Sequence, residues 1–432
     1  MTPPPVPWTL RCVETGATYA GDDPRYRSDS GAVLDVIHAP PTPDDHTVDL
    51  ATLDRRRASA DPLDRSGVWR FRELILPVEH EYIVTRGEGS TTLYDSPRVA
   101  DYCRLDGLQL KHEGENPTGS FKDRGMTVGV TMARRFGVET VACASTGNTS
   151  ASMASYAAIA GLRALVFIPE GNIAFGKLSQ ALAYGARTIQ IQGNFDDAMR
   201  LVEEVCHAEG VYLLNSLNPF RLEGQKAIGL EILQDLGWQV PDWIVCPGGN
   251  LGNSSAMYKG LAELKALGLI DRLPRFAIIQ AEGANPLYRA FADGTETLTP
   301  VTDPETIATA IRIGSPVSFP KALRAVRNTD GIVEEATDQE IMDAKAVVDR
   351  AGIGAEPASC ATVAGLRKLR DRGVIRADER VVGVLTGHVL KDPDATTRYH
   401  QDSLTGITPA FANGPVSCNA TLDDVRRAID SA

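Results

Sequence analysis

From about residue 81 onward, the apolar positions of this chain switch repeatedly between a period of two and a helical period. Leu108 to Glu113 alternates apolar and polar residues and reads as a strand, and Met126 to Phe136 follows as a helix. Thr140–Ala144 is a short apolar strand and Ser150–Ala160 an Ala/Ser-rich helix. Strands are then expected at Leu165–Pro169, Thr188–Gln192, Tyr212–Leu214, Trp243–Cys246 and Phe276–Gln280. Between them fall helices at Gly176–Tyr184, Asp196–Ala208, Glu223–Leu236 and Ser254–Leu267, with Asn194 and Asp196 available as caps. Such alternation with short connections predicts an α/β protein of open, mostly parallel sheets with helices on both faces. One run ends and another begins near 220–240. Two sheet domains are therefore expected, 81–225 and 226–432, with a site between them. Residues 1–80 show little sustained periodicity and read as an N-terminal arm packed on the body or on a neighbouring subunit.

Composition narrows the function more than the fold. The 432 residues are 43% hydrophobic and 23% charged, ordinary for a soluble globular protein. A net charge of −12 argues against a nucleic-acid partner, whose phosphates need clustered Lys and Arg. An anionic small molecule remains compatible, because a local anion site uses a few residues and backbone amides. The seven cysteines are scattered without a C-x-x-C pair, which indicates neither a zinc site nor a disulfide framework. No apolar run reaches membrane-spanning length and no secretory signal opens the chain. A reducing cytoplasm is the expected location.

Against that background one lysine stands out. In Asn116-Pro117-Thr118-Gly119-Ser120-Phe121-Lys122-Asp123-Arg124-Gly125-Met126, Ser120 is the natural N-cap of the following helix. Lys122 then sits in the first turn, near the positive end of the helix dipole, where an ammonium is disfavoured. Most lysines in first turns are solvated and inert; one held away from carboxylates acquires a lowered pKa and a nucleophilic amine. Ser145-Thr146-Gly147-Asn148-Thr149-Ser150 follows a buried strand, where open α/β sheets place ligands, although it also reads as a capping turn. Gly248-Gly249-Asn250-Leu251-Gly252-Asn253-Ser254 is a glycine-rich strand-to-helix turn suited to an anion, but without the dinucleotide G-x-G-x-x-G spacing. Thr386-Gly387-His388-Val389-Leu390-Lys391-Asp392-Pro393 follows the strand Val381–Leu385, and His388 reads as a hydrogen-bonding structural residue rather than a general base. Asn215-Ser216-Leu217-Asn218-Pro219-Phe220-Arg221 ends a strand and opens a helix. Arg221 there is either a phosphate contact or a surface arginine over a loop.

The Lys122 run, followed by these motifs in order, closely resembles the threonine synthases, pyridoxal-phosphate enzymes with a tryptophan-synthase-β-like fold. Gly87-Glu88-Gly89-Ser90-Thr91-Thr92-Leu93 is similar to that family's G-E-G-N-T-P-L, with Ser90 and Thr92 as departures, and Val389 stands where the family has glycine. Ala308–Pro316 and Glu356-Pro357-Ala358-Ser359 also resemble family segments that line the site. The resemblance implies that Lys122 holds pyridoxal 5'-phosphate and serves as the catalytic base and acid. It implies that Asn148 contacts the cofactor's phenolic oxygen and Thr386 faces its pyridine nitrogen. Gly249, Asn250, Leu251, Gly252 and Asn253 would hold the cofactor phosphate, and Ser145 and Thr146 the substrate carboxylate. Arg221, with Ser216 and Asn218, would meet the phosphate of a phosphoamino-acid substrate. A homodimer is implied as well. Residues around Leu10-Arg11-Cys12 and Tyr26-Arg27-Ser28 resemble the family's N-terminal ribbon, but Thr15, Ser28 and Ser30 stand where zinc-binding cysteines would be, so no metal is expected. The implied reaction converts O-phospho-L-homoserine and water to L-threonine and phosphate. A relative that makes cysteate from phosphoserine and sulfite would share these motifs. A dehydratase fits the Asp123 and Thr386–Pro393 stretches less well, and a pyridoxal-phosphate-binding regulator without activity is the rival from another class.

Overall fold

A computed structural model describes residues 6–38, 48–170, 175–193 and 195–430; the Asn194 cap expected from sequence lies outside the described residues. Three sheets organise them. Near the N-terminus, β1 (Trp8–Cys12) lies between β2 (Thr18–Ala20) and β3 (Leu34–His38), antiparallel to both. Alternate residues of β1 are buried, as expected for a sheet packed on one face only.

The largest sheet has six strands in the order β12-β11-β10-β13-β5-β4. These are β4 (Leu93–Asp95), β5 (Leu108–His112), β10 (Trp243–Pro247), β11 (Arg275–Ala281), β12 (Ile332–Ala336) and β13 (Val381–Leu385). All neighbours run parallel except β4, which pairs antiparallel with β5 at the edge. Every residue of β10 and β13 is buried, because helices cover both faces of these central strands. The third sheet, β8-β7-β6-β9, is parallel throughout and contains β6 (Thr140–Ala144), β7 (Arg163–Pro169), β8 (Arg187–Ile191) and β9 (Tyr212–Leu213).

The two parallel sheets do not follow the division at residue 225. β4 and β5 fall within 81–225, yet β5 pairs with β13 and both strands join the sheet built from later residues. The β6–β9 unit is therefore inserted between β5 and β10. The helix expected at Glu223–Leu236 is two helices, Pro219–Gln225 and Ala227–Asp235, which meet at Lys226. It starts early because Asn218 caps it, accepting from the Phe220 amide, and Pro219 occupies the first turn.

Two helices cross at unusually close range beside the cleft between the parallel sheets. Gly224 of Pro219–Gln225 lies against the backbone of Lys122–Arg135, where an added Cβ would come 1.9 Å from the Arg124 carbonyl oxygen. Gly125 reciprocates, with space for a Cβ blocked at 2.8 Å by the Arg221 carbonyl oxygen. Only glycine permits this approach, and it brings the first turn of one helix beside Arg221 of the other.

Candidate active site

Lys122 opens the helix Lys122–Arg135, in the first turn as expected, but Ser120 is not its cap. The N-cap residue is Phe121, and no side chain caps this end. The stretch before the helix is instead stitched to the end of β13. Ser120 bridges Gly387, the Phe121 amide donates to the Thr386 carbonyl at 3.0 Å, and the His388 amide donates to the Gly119 carbonyl at 3.0 Å. Held in that extended pairing, Ser120 cannot turn back onto the helix, and its Oγ is buried without a hydrogen-bond partner. Asp123 ties down the same loop, accepting from the Thr118 amide at 2.7 Å, Thr118 Oγ1 at 2.6 Å and Ser152 Oγ at 2.5 Å.

The Lys122 Nζ lies 4.2 Å from the centre of the Phe121 ring and forms no ion pair among the described residues. Burial, reinforced by the positive charge of Arg221 and opposed by Glu356, brings its pKa down from 10.5 to about 7. A lysine in that state is about half free base at neutral pH, which leaves a substantial fraction available as a nucleophile.

Around this amine opens a cavity of about 1740 Å³ between the two parallel sheets. It is lined by Lys122, Ser145, Thr146, Asn148, Ser216, Arg221, Gly249, Asn250, Leu251, Gly252, Asn253 and Thr386. Asn218 is the exception. Its side chain caps the Pro219–Gln225 helix and donates to the Leu213 carbonyl at 2.9 Å, so it is a structural amide and lies outside the cavity lining. Arg221 donates from Nη1 to the Leu214 carbonyl at 2.9 Å, while its buried Nε has no partner, and burial lowers its pKa to about 10. It is not a surface arginine.

Opposite Lys122, β10 runs into the glycine-rich turn and the helix Gly252–Ala266. Leu251 adopts a left-handed conformation at φ 65°, and no side chain caps the helix. The Ser254 amide is taken by Asn253 Oδ1 at 2.8 Å, which leaves the Gly252 and Asn253 amides for an anion at the end of a 15-residue helix. Gly249 packs so closely on the Ala310–Ile311 backbone that a Cβ would lie 3.1 Å from the Ile311 Cα. At Gly252 a Cβ would meet nothing closer than 3.5 Å, so added bulk would enter the cavity itself. On the third side, Thr386 Oγ1 lies 3.0 Å from Ser359 Oγ. His388 Nδ1 accepts from the Leu390 amide at 3.2 Å, the hydrogen-bonding role expected of it. Gly147 donates its amide to Ser145 Oγ at 3.2 Å, and Asn148 Nδ2 donates to the Glu356 carboxylate at 3.2 and 3.1 Å.

Sequence reasoning assigned no role to two further cavity residues, Glu356 and Lys391, although both lie in stretches it singled out. Asn215, which opens another of those stretches, likewise carries no expected role; its amide both accepts from and donates to Ala144 at 2.9 Å and so fixes the end of β6. A single Asn beside a strand carries no local signal of pairing 71 residues away.

An unpaired amine of low pKa beside uncapped helix amides suits a phosphorylated aldehyde, and the buried guanidinium nitrogen without a partner is left for a second anion. The fold and site define a pyridoxal-phosphate-dependent enzyme, and the sequence profile of that family matches residues 84–387. Within that class the chain belongs to the threonine synthase family. It is 48% identical to a threonine synthase of Methanosarcina acetivorans over 97% of this chain and 98% of that protein. It is 47% identical to a threonine synthase of Methanocaldococcus jannaschii over 91% and 95%, respectively. It is also 42% identical to the chloroplastic threonine synthase 2 of Arabidopsis thaliana over 94% and 81%. Among solved structures, the processed threonine deaminase isoform 2 of Solanum lycopersicum superposes with a TM-score of 0.63 at 18% identity, covering 78% of this chain and 93% of that one. Maize serine racemase superposes at 0.61 and 20%, covering 82% and 98%. These two share the fold.

Proposed function

We propose that this chain converts O-phospho-L-homoserine and water to L-threonine and phosphate, with Lys122 as its catalytic residue. The observation that carries the reading is the Lys122 amine, unpaired, with a pKa near 7, in one cavity with the buried cation Arg221. Bound pyridoxal phosphate supplies an electron sink that acidifies substrate C–H bonds. Lys122 moves protons at the substrate's α and β carbons as base and then acid, which its pKa suits near neutrality. Phosphate leaves from the γ carbon, a proton taken from the β carbon is returned at the γ carbon to make the methyl group, and water gives its hydroxyl to the β carbon and its remaining proton to the released phosphate. Gly249 to Asn253 hold the cofactor phosphate through backbone amides, Asn148 and Thr386 meet the polar positions of its ring, and Ser145 and Thr146 hold the substrate carboxylate. Thr386, a hydroxyl, does not keep a ring nitrogen protonated as a carboxylate would. Ser216 and Arg221 meet the substrate phosphate; Asn218 has no part in this. We place the enzyme in the cytoplasm and as a homodimer. No helix of the described residues is long and apolar enough to cross a membrane.

The test supplies the purified holoenzyme with each phosphoamino acid separately, with and without sulfite, and follows phosphate and amino-acid products. Threonine from phosphohomoserine is expected. Losing the charge-assisted bond in Arg221→Ala should lower kcat/KM by about ten- to a hundredfold, corresponding to roughly 1.5–3 kcal/mol. Cysteate from phosphoserine without any threonine would overturn the assignment.

A further inference from the structure

Glu356 occupies the N-cap position of the helix Pro357–Asp371, yet its side chain caps nothing there. Glutamate is not among the residues favoured at that position, so helix capping does not account for it. Its carboxylate turns into the cavity and crosses the cleft. Asn148, at the start of a helix flanking the β6–β9 sheet, donates Nδ2 to Oε1 at 3.2 Å and to Oε2 at 3.1 Å. Thr386 Oγ1, at the end of β13, lies 3.5 Å from Oε1. The carboxylate therefore touches both residues that the proposed function sets against the polar positions of the cofactor ring. The backbone is built to admit it. At Gly387 an added Cβ would lie 2.3 Å from Glu356 Oε1, and the Glu356 amide donates to the Gly387 carbonyl at 3.0 Å.

We propose that Glu356 is a positioning residue that fixes the rotamer and amide orientation of Asn148 for the cofactor. A carboxylate only accepts hydrogen bonds, so the Asn148 amide must turn Nδ2 toward it and keep Oδ1 away. Nδ2 carries two hydrogens. One, shared between the two Glu356 oxygens at 3.2 and 3.1 Å, is committed to that carboxylate, and the other remains for an acceptor oxygen in the cleft, the group that the cofactor's phenolic oxygen provides. Without Glu356 the amide is free to reverse and present a carbonyl oxygen to that oxygen, where two acceptors would repel. The inference rests on the reading of Asn148 as a cofactor contact.

The experiment titrates apoenzyme with pyridoxal phosphate and reads the dissociation constant and the visible absorbance maximum. Glu356→Gln keeps the shape but adds a donor that the Asn148 Oδ1 can accept from, so the amide can reverse. It should weaken cofactor binding on the order of tenfold and shift the absorbance maximum. Glu356→Asp, one methylene shorter, should fall between wild type and Glu356→Gln, and decides the matter where the Gln variant does not fold. Because Glu356 acts through Asn148, the same substitution in an Asn148→Ala background should change the dissociation constant by less than about twofold. Thermal unfolding of each apoenzyme should match that of its parent. Equal penalties in both backgrounds, or wild-type affinity and spectrum in the Glu356 variants, would overturn the inference while leaving the proposed function standing. Wild-type affinity in Asn148→Ala alone would instead remove the cofactor role of Asn148.

Discussion

At the scale of single residues, Lys122 was the most legible feature of the chain and Ser120 the least. Position in a first turn follows from the strand and helix flanking Lys122, both readable from local periodicity. The capping role of Ser120 fails because a pairing with residues 386–388 holds it extended, and no local pattern reports a contact across more than 260 residues. The environment of Lys122 has a direct chemical consequence. With its pKa lowered from 10.5 to about 7, the free base exists at neutral pH. The rate of covalent capture of pyridoxal phosphate by the apoenzyme should therefore rise through about pH 7 and level off above it. A rise centred near 10 instead would mean an ordinary solvated amine. Arg221→Ala removes a positive charge that lowers this pKa, so the midpoint should move upward in that variant. Capture followed by reduction and peptide mapping should label the peptide holding Lys122, and Lys122→Ala should lose both label and turnover.

Elements place these residues, and local pattern accounts for only half of how they do so. Apart from the expected helix at 223–236, which is two, the strands and helices from 108 to 281 follow period and punctuation, but the ionic network that anchors the Lys122 helix does not show in the pattern. Arg124 is fully buried and grips Glu113 with two bonds of 2.6 Å. It also reaches Glu231 at 2.8 Å, and Glu231 in turn pairs with Arg70 at 2.5 Å and Lys111 at 2.6 Å. A buried Arg is indistinguishable from a surface Arg until its carboxylates are known, and these come from separate elements far apart in the chain. Glu231→Ala would leave three buried cations short of a partner and should destabilise the apoenzyme by about 3–5 kcal/mol, measured by denaturant unfolding. Burial alone would raise the Glu231 pKa, but Arg124, Lys111 and Arg70 overcome it and hold the carboxyl well below its ordinary value. A carboxyl depressed in this way stabilises above its unfolded pKa, and the contribution is lost as pH falls through the folded one. The gap between wild type and variant should accordingly narrow in acid; a constant gap would assign the loss to packing. The glycine-rich turn makes the complementary case. Since Gly252 has room for a Cβ, Gly252→Val should leave unfolding unchanged and raise the dissociation constant for pyridoxal phosphate. Unchanged affinity would make the turn a connection only.

For the molecule as a whole, alternation of strand and helix sufficed to read two parallel sheets with a cleft between them, whereas the path of the chain through them was not readable. β5 returns to pair with β13 after an excursion of more than 260 residues, and such pairing is chosen by burial on both faces rather than by neighbouring sequence. The N-terminal ribbon is similar. β1 alternates over only five residues and β2 over three, too short a run to stand out from its surroundings, yet Trp8, Leu10, Leu34 and Val36 are buried in the same core as Phe319 and Leu323. Where the resemblance set paired cysteines, Ser28 and Ser30 hydroxyls lie 2.9 Å apart and the Thr15 amide donates to Cys12 Sγ at 3.4 Å. An ion pair adds to this apolar docking of the ribbon. Asp35, at the second residue of β3, meets Lys321 at 2.9 Å and Arg324 at 3.0 Å, and Lys321 Nζ also donates to the Leu34 carbonyl at 2.6 Å. Lys321 is buried, so Asp35→Asn strands its charge and should cost about 3–5 kcal/mol, with part of that loss appearing as release of the ribbon alone. Burial opposes ionisation of Asp35, but Lys321, Lys259 and Arg324 outweigh it and keep the carboxyl well below the usual range. The contact is therefore complete above the unfolded pKa of an aspartate and fails as pH drops through the folded value. Limited proteolysis near neutral pH should cut Asp35→Asn within the ribbon while wild type resists, and wild type should become equally sensitive only in strong acid. If both proteins resist to the same extent, the apolar face of the ribbon holds it without the ion pair.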